Sequence, residues 1–175
     1  MPIFQLGPGH EFPSAELAEP EGILAYGGDL SPRRLLTAYS RGIFPWYNED
    51  DPILWWSPDP QTVLLPENFH LPKRLKRTIR NHSLSLTKDK AFRMVMEHCA
   101  SVPRDKQKGT WISDDMIEAY TKLHQMSFAH SFEAWDGDKL VGGMYGVQLG
   151  KAYFAESKFF TKRDASKIVL ANAFQ

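Results

Sequence analysis

The stretch RGIFPWYNEDDPILWWSPDP, residues 41–60, constrains the fold of this chain more than any other. It holds three of the five tryptophans, Trp46, Trp55 and Trp56, and four of the twelve prolines, Pro45, Pro52, Pro58 and Pro60. Each proline lacks an N–H donor and fixes φ, which forbids a long helix here. The tryptophans are therefore expected on a bent, mostly extended segment. Trp55 and Trp56 are adjacent, so one of them is expected to face the core. Trp46, between Pro45 and Tyr47, is harder to account for as core and is a candidate platform for a flat ligand.

A chain of 175 residues allows one domain, or one domain with a small partner, and can bury a core without disulfide staples. No run of about 18 apolar residues occurs, which argues against a membrane-spanning helix. The start, MPIFQLGPGHEFPS, has neither the basic nor the apolar region of a signal peptide. The single cysteine, Cys99, lies in the helical pattern FRMVMEHCA and is expected to be a buried, inert thiol suited to a reducing cytosol.

The formal net charge of zero hides an uneven distribution. Residues 1–31 carry Glu11, Glu16, Glu19, Glu21 and Asp29 and no Lys or Arg, whereas LPKRLKRTIRNH carries Lys73, Arg74, Lys76, Arg77 and Arg80 and no acid. On a helix, Lys73, Arg77 and Arg80 share a face. Such a cluster is either a solvated helix face or an attractor for a phosphate backbone. The tryptophans add weight to the second reading, because nucleobases stack on aromatic rings. Trp111, in KGTWIS, is a second exposed aromatic candidate.

Along the chain, GILAYGG reads as a strand and turn. A helix follows, with Ser31 as N-cap, Pro32 as first helical residue and Gly42 as stop. TVLLP reads as a strand, LPKRLKRTIRN as a short helix, SLSLT as a strand, and DKAFRMVMEHCASV and SDDMIEAYTKLHQM as amphipathic helices, the latter capped by Ser113. The period then changes to two. HSFEAW, KLVGGMYGVQL and AYFAESKFF, with turns at Asp136-Gly137-Asp138 and Gly150-Lys151, predict a three-stranded meander. Gly142-Gly143 suggests a bulge or a close approach of backbone to ligand. A last helix starts after Asp164 as cap and runs to Gln175 without a stop signal, so the chain is expected to be a piece of a longer protein.

Nothing in the sequence matches a Walker loop, a dinucleotide fingerprint, an HExxH pair or a CxxC pair, and no metal site is expected. His130 and Ser131 are neighbours on a strand and point to opposite faces, a poor nucleophile–base pair. His124, on a helix, is expected to be a surface or satisfied histidine. Glu156, an acid among apolar residues of the third meander strand, is either a surface residue or an inward carboxylate able to bind a cation or an amine.

The segments GGDLSPRRLLTAYSRGIFPWYNEDDPILWWSPDP, GTWIS, AYTKLH, AHSFEAW, LVGGMYGV and ESKFF…ASK resemble the leucyl/phenylalanyl-tRNA–protein transferase family from about residue 20 onward. The resemblance implies a cytoplasmic bacterial enzyme, expected to be monomeric. Such an enzyme moves leucine or phenylalanine from aminoacyl-tRNA to the N-terminal Arg or Lys of a protein, marking it for degradation. It needs no ATP, metal or other cofactor. The implied fold is α+β: a small N-terminal domain over 1–62, then a domain over 63–175 similar to GNAT-type acetyltransferases, truncated at its C-terminal end. Carried over by position, Trp46 and Trp111 would contact the 3′-terminal adenosine, and Met144, Ala155 and Lys158 would line the donor side-chain pocket. Glu156 would lie at the reacting centre, and the cations at 73, 74, 76, 77 and 80 would meet the tRNA backbone.

Departures from the family pattern are Ala155 for Gly, Lys158 for Met, Phe160 for Ser, Asp164 for Asn and Gln61 for Arg. Ala173 stands where the family can carry a pocket aromatic. Lys158 and Ala173 would weaken selection for Phe. An Asp-x-Gln motif that the family carries for proton handling has no match here, so this chain is expected to retain the adenosine platform and part of the pocket but to be catalytically weak or dead. Two alternatives are a tRNA-binding module without transfer activity and an acyl-CoA-dependent acetyltransferase. The second would need a glycine-rich turn where TKRDASK stands.

Overall fold

The computed structural model describes residues 3–48, 50–102 and 110–174. They divide into two units: residues up to 62 with 110–123, and 63–102 with 124–174. Both mix helix and sheet, giving an α+β chain with two four-stranded sheets and five α-helices among the described residues.

In the first unit the strands are β1 (Phe4–Leu6), β2 (Ile23–Gly27), β3 (Phe44–Pro45) and β4 (Leu54–Trp56), ordered β1-β2-β4-β3. The proline-dense stretch is thus extended, as expected, and its two ends pair with each other: β3 and β4 are antiparallel, Phe44 opposite Trp56 and Pro45 opposite Trp55. Pro45 is tolerated because β3 is an edge strand. Trp55 is the tryptophan that enters the core. It is fully buried, meets Phe12 edge-on at 4.9 Å, and donates its indole N–H to the Gly27 carbonyl at 2.9 Å. β1 was not expected from the sequence. It is short, and its parallel partner β2 lies far along the chain.

Helix α1 (Pro32–Tyr39) follows its sequence signals. Ser31 Oγ accepts from the Arg34 N–H, Pro32 opens the helix, and Gly42 takes a left-handed φ of 71° after the last turn. Arg34 is fully buried, and its Nη2 donates to the Gly7 carbonyl at 2.8 Å and to Asp29 at 3.4 Å. Gly28 must be glycine: its φ is 76°, and a Cβ there would stand 2.8 Å from the Arg34 guanidinium carbon. Gln61, which replaces an arginine of the family pattern, donates to the Gly42 carbonyl at 2.5 Å. Helix α4 (Asp114–Gln125) is capped by Ser113, whose Oγ accepts from the Met116 N–H at 3.3 Å, and Tyr120 on this helix shares a hydroxyl–hydroxyl bond with Tyr39.

The second unit is built on β5 (Ser85–Lys88), β6 (Ala129–Asp136), β7 (Lys139–Leu149) and β8 (Ala152–Phe160), all antiparallel and in sequence order. The meander expected over residues 130–160 is present, starting one residue earlier, at Ala129. Helix α3 (Phe92–Ser101) packs on one face and α5 (Ala165–Ala173) on the other, and α2 (Lys73–Asn81) carries the basic cluster. The central strand β7 is glycine-rich because both helices come close to it. A Cβ on Gly142 would stand 2.7 Å from Ala165 of α5, and one on Gly143 would stand 2.8 Å from Phe159 and 3.0 Å from Val95 of α3. Here the glycine pair serves helix packing, and the bulge it suggested sits beside it, where Trp135 pairs with Leu140 and Val141 is the extra residue. Cys99 is buried on α3, as expected.

Two sequence expectations fail. TVLLP forms no strand; it is exposed, with Val63 at 74%, and no strand among the described residues pairs with it. Asp164 precedes α5 but does not cap it. Its φ of 62° is left-handed, and its carboxylate is taken by Lys167 Nζ at 2.8 Å.

Two measurements check this packing. A Cβ on Gly146 would stand 2.2 Å from the Phe154 carbonyl and 2.7 Å from the Tyr153 ring, whereas nothing lies within 4 Å at Gly7. Gly146→Ala should therefore cost about 2 kcal/mol or more in denaturant unfolding, and Gly7→Ala under about 0.5 kcal/mol. For Asp29, burial alone would raise the carboxyl pKa, but hydrogen bonds from Ser31 and Arg34 outweigh it and hold the carboxyl below the usual aspartate value. The stability it adds is present above about pH 4 and is lost as pH falls through the lowered folded pKa. Asp29→Asn should lower the melting temperature slightly at pH 7, because the side chain is half exposed, and the gap should close in acid.

Candidate functional site

Trp46 follows the edge strand β3 directly. Its N–H donates to the Leu54 carbonyl at 2.9 Å, and its carbonyl accepts the indole N–H of Trp56 at 2.6 Å. The Trp46 and Trp56 rings meet at 5.2 Å, tilted by 54°. Trp46 is nevertheless 41% exposed, which is high for so large an apolar ring held by ordered backbone. Trp111 differs from expectation. It is only 7% exposed, and Ile112, Met116 and Ile117, which follow it, are buried as well. A large ring leading into the buried face of α4 is drawn into the core of its unit.

The segments that carry these two tryptophans meet in the first unit. The Tyr47 phenol is buried close to the side chain of Ser113, two residues beyond Trp111. Burial and the nearby Asp115 carboxylate push the Tyr47 pKa up, so the phenol stays protonated at neutral pH.

In the second unit, Glu156 sits at an irregularity of the β7–β8 ladder. Ser157 pairs with Tyr145 and Ala155 with Gly146, which leaves Glu156 as the extra residue of a bulge. An extra residue lifts a side chain out of the regular alternation, a common device for aiming a functional group. Glu156 is half-buried, and its charge helps burial raise the pKa of Tyr153. Tyr153 therefore stays protonated. It lies across Gly146 and donates to the His130 carbonyl at 3.1 Å.

Met144 on β7 is opposite Phe132 on one side and Lys158 on the other. It is 3% exposed, enclosed with Leu84, Ala134, Val141, Ala165, Ile168 and Val169. Lys158 and Ala155 lie exposed on β8, the edge strand. The ladder therefore brings Met144, Ala155, Glu156 and Lys158 together on two adjacent strands.

The five cations Lys73, Arg74, Lys76, Arg77 and Arg80 lie on α2, which has no buried residue. A recess of about 290 Å³ runs along this helix, lined by Arg77, Thr78, Asn81 and His82. His82 Nδ1 accepts from the Leu84 N–H at 3.1 Å, so Nε2 of the neutral ring carries the proton and is a donor. Counting cations in the sequence missed Asn81 and His82.

Several other polar groups are held by hydrogen bonds within the second unit. Glu133 is buried and accepts from Thr87 and Ser131 hydroxyls and from the Ala91 N–H before α3. Asp89 accepts from the Ser131 N–H and bonds His130 Nδ1 at 2.7 Å. His124 is satisfied, as expected: its Nδ1 meets the Ala129 carbonyl and its ring stacks on Phe92. No group of three His, Cys, Asp or Glu side chains among the described residues could hold a metal ion.

Met144→Ala should cost about 2–5 kcal/mol in equilibrium unfolding, the price of a buried cavity. Lys158→Met, on the exposed edge opposite, should stay within about 0.5 kcal/mol.

Comparison with known proteins adds independent findings. Residues 63–175 match the model of the leucyl/phenylalanyl-tRNA protein transferase family, and residues 28–59 match the model of that family's N-terminal domain. Leucyl/phenylalanyl-tRNA–protein transferase of Anaeromyxobacter sp. (strain Fw109-5) is 55% identical over 175 residues, all of this chain and 74% of the relative. The enzyme of the same name from Lawsonia intracellularis is 57% identical over 159 residues, 91% of this chain and 70% of the relative. The Solidesulfovibrio magneticus protein of that name is 56% identical over 168 residues, 96% of this chain and 68% of the relative. Two family models that between them take in most of the chain, and identities of this size over its whole length, place it: this chain belongs to the leucyl/phenylalanyl-tRNA–protein transferase family.

Proposed function

We propose that this chain transfers leucine or phenylalanine from aminoacyl-tRNA to the N-terminal Arg or Lys of acceptor proteins, marking them for degradation in the bacterial cytoplasm, and that it acts as a monomer. The observation that carries the reading is the Trp46 ring, exposed although its backbone is anchored on both sides. An exposed, immobilised indole is suited to stacking a purine, here the 3′-terminal adenosine. In this reading Trp111 supports the same contact from the segment that Tyr47 lies close to. The cations of α2 meet the tRNA phosphates. The second unit takes the role of a GNAT-like transferase domain, an antiparallel meander followed by a helix.

The chemistry needs little from the protein. The attacking group is an α-amine with a pKa near 8, partly free at neutral pH. It must be held about 3 Å from the ester carbonyl, with its approach aligned. The amine nitrogen forms the new amide bond, the ester C–O bond to the ribose breaks, and the proton lost by the amine ends on the ribose hydroxyl. Glu156, aimed by its bulge, holds the acceptor amine or its cationic side chain. Met144, Ala155 and Lys158 surround the donor side chain, and exposed Lys158 in place of methionine lowers the preference for Phe. Discrimination between apolar donors of similar size is limited to about 1–3 kcal/mol.

Acyl-CoA chemistry is disfavoured at the start of α5. The residue before that helix is Asp164, whose carboxylate would repel a pyrophosphate, and the turn holds no glycine.

The test is transfer of labelled leucine from leucyl-tRNA to an Arg-initiated protein. The parent chain should transfer, Trp46→Ala should lower kcat/KM by about 5–150-fold, the value of one stacked base, and Glu156→Gln should lower kcat. Equal kcat/KM for Trp46→Ala and the parent would reject the stacking role. Binding of aminoacyl-tRNA without transfer would favour a tRNA-binding module.

A further inference from the structure

We propose that Trp56 is the positioning residue of the nucleobase-stacking face, holding Trp46 in the one orientation that leaves a ring face open for a purine. The proposal rests on the stacking role given to Trp46 above.

Alternation along β4 sends Trp55 into the core and Trp56 to the opposite face. Trp55 uses its indole N–H within the sheet core, on Gly27. Trp56 spends its indole N–H on a single backbone atom, the Trp46 carbonyl, at 2.6 Å. That carbonyl lies just past the end of the edge strand β3, where the regular ladder has stopped. The side chain of Trp56 thus replaces the missing ladder partner. On the other side of the same residue, the Trp46 N–H is already held by Leu54.

The Trp56 ring also stands against the Trp46 ring at 5.2 Å and 54°. A tilted ring pair of this geometry attracts and fixes the rotamer of both partners. One side of the Trp46 ring is braced by Trp56, while the residue keeps 41% of its surface exposed. Two contacts from one side chain therefore settle both the backbone and the ring of Trp46. An unbraced exposed indole would lose rotamer freedom on binding a base, and that loss would weaken binding. Pre-ordering by Trp56 removes much of this cost. The ligand class is an unpaired purine at the end of a nucleic acid strand, which presents a free π-face.

The test measures binding of the trinucleotide CCA and steady-state transfer for the parent chain, Trp46→Ala, Trp56→Phe and Trp56→Ala, with melting curves alongside. Trp56→Phe keeps an aromatic brace and loses the N–H; one hydrogen bond corresponds to about five-fold in Kd. Trp56→Ala loses both contacts and should weaken CCA about ten-fold or more. The loss should appear in KM for aminoacyl-tRNA rather than in kcat, with the melting temperature of Trp56→Phe lowered by no more than the loss of one hydrogen bond. A purely structural role would lower stability and leave the Kd of the folded fraction unchanged. Unchanged Kd for Trp56→Phe and Trp56→Ala, with weakened binding for Trp46→Ala, would overturn the positioning role alone. Unchanged Kd for Trp46→Ala would overturn the stacking face and this proposal with it. If Trp56→Ala does not fold, Trp56→Phe decides.

Discussion

The second unit depends on the close packing of helices against a central strand stripped of side chains. β7 runs between β6 and β8, and at Gly142 and Gly143 it lets α5 and α3 approach from opposite faces to within reach of a single added methyl. Gly146 extends the same design by giving the Tyr153 ring a path across the strand to the His130 carbonyl. Three glycines weaken a strand on propensity alone. Here the loss is offset by core contacts that no larger residue would allow. Beside Gly146 the β8 strand gains its extra residue, Glu156. The bulge that holds Glu156 and the glycine crossed by the Tyr153 ring thus lie side by side on β7 and β8.

The first unit solves a different problem. Its most constrained segment is rich in proline and pairs only through the short strands β3 and β4, and side chains across the unit add hydrogen bonds to backbone carbonyls. Trp55 donates to Gly27, Trp56 to Trp46, Gln61 to Gly42 and Arg34 to Gly7. Tryptophan is suited to this role because it pairs a large apolar ring with a single directional donor. One product of that arrangement is an indole that is both exposed and anchored, the physical basis for the proposal that Trp46 stacks a nucleobase.

Much of this was legible in the sequence where signals are local. Ser31, Pro32, Gly42 and Ser113 marked helix ends correctly, and the change to period two marked the meander. What was not legible depended on distant partners. β1 forms only because β2 accepts it in parallel, and TVLLP, with no pairing strand among the described residues, is not one. Asp164 has the composition of a cap but is diverted by Lys167 three residues on. For the candidate site, residue type and the family resemblance together pointed to Trp46, Glu156 and the cations of α2 as candidates. Burial, which no pattern of one sequence shows, separated exposed Trp46 from nearly buried Trp111 and gave Trp56 and His82 their parts.

The most direct test of the central claim is a proton NMR titration of the chain with CCA, read at the adenine H2 and H8 resonances. Stacking on the Trp46 ring predicts upfield ring-current shifts of both protons, absent with Trp46→Ala and reduced with Trp56→Phe. Shifts that persist unchanged in Trp46→Ala would place the adenosine elsewhere and contradict the account.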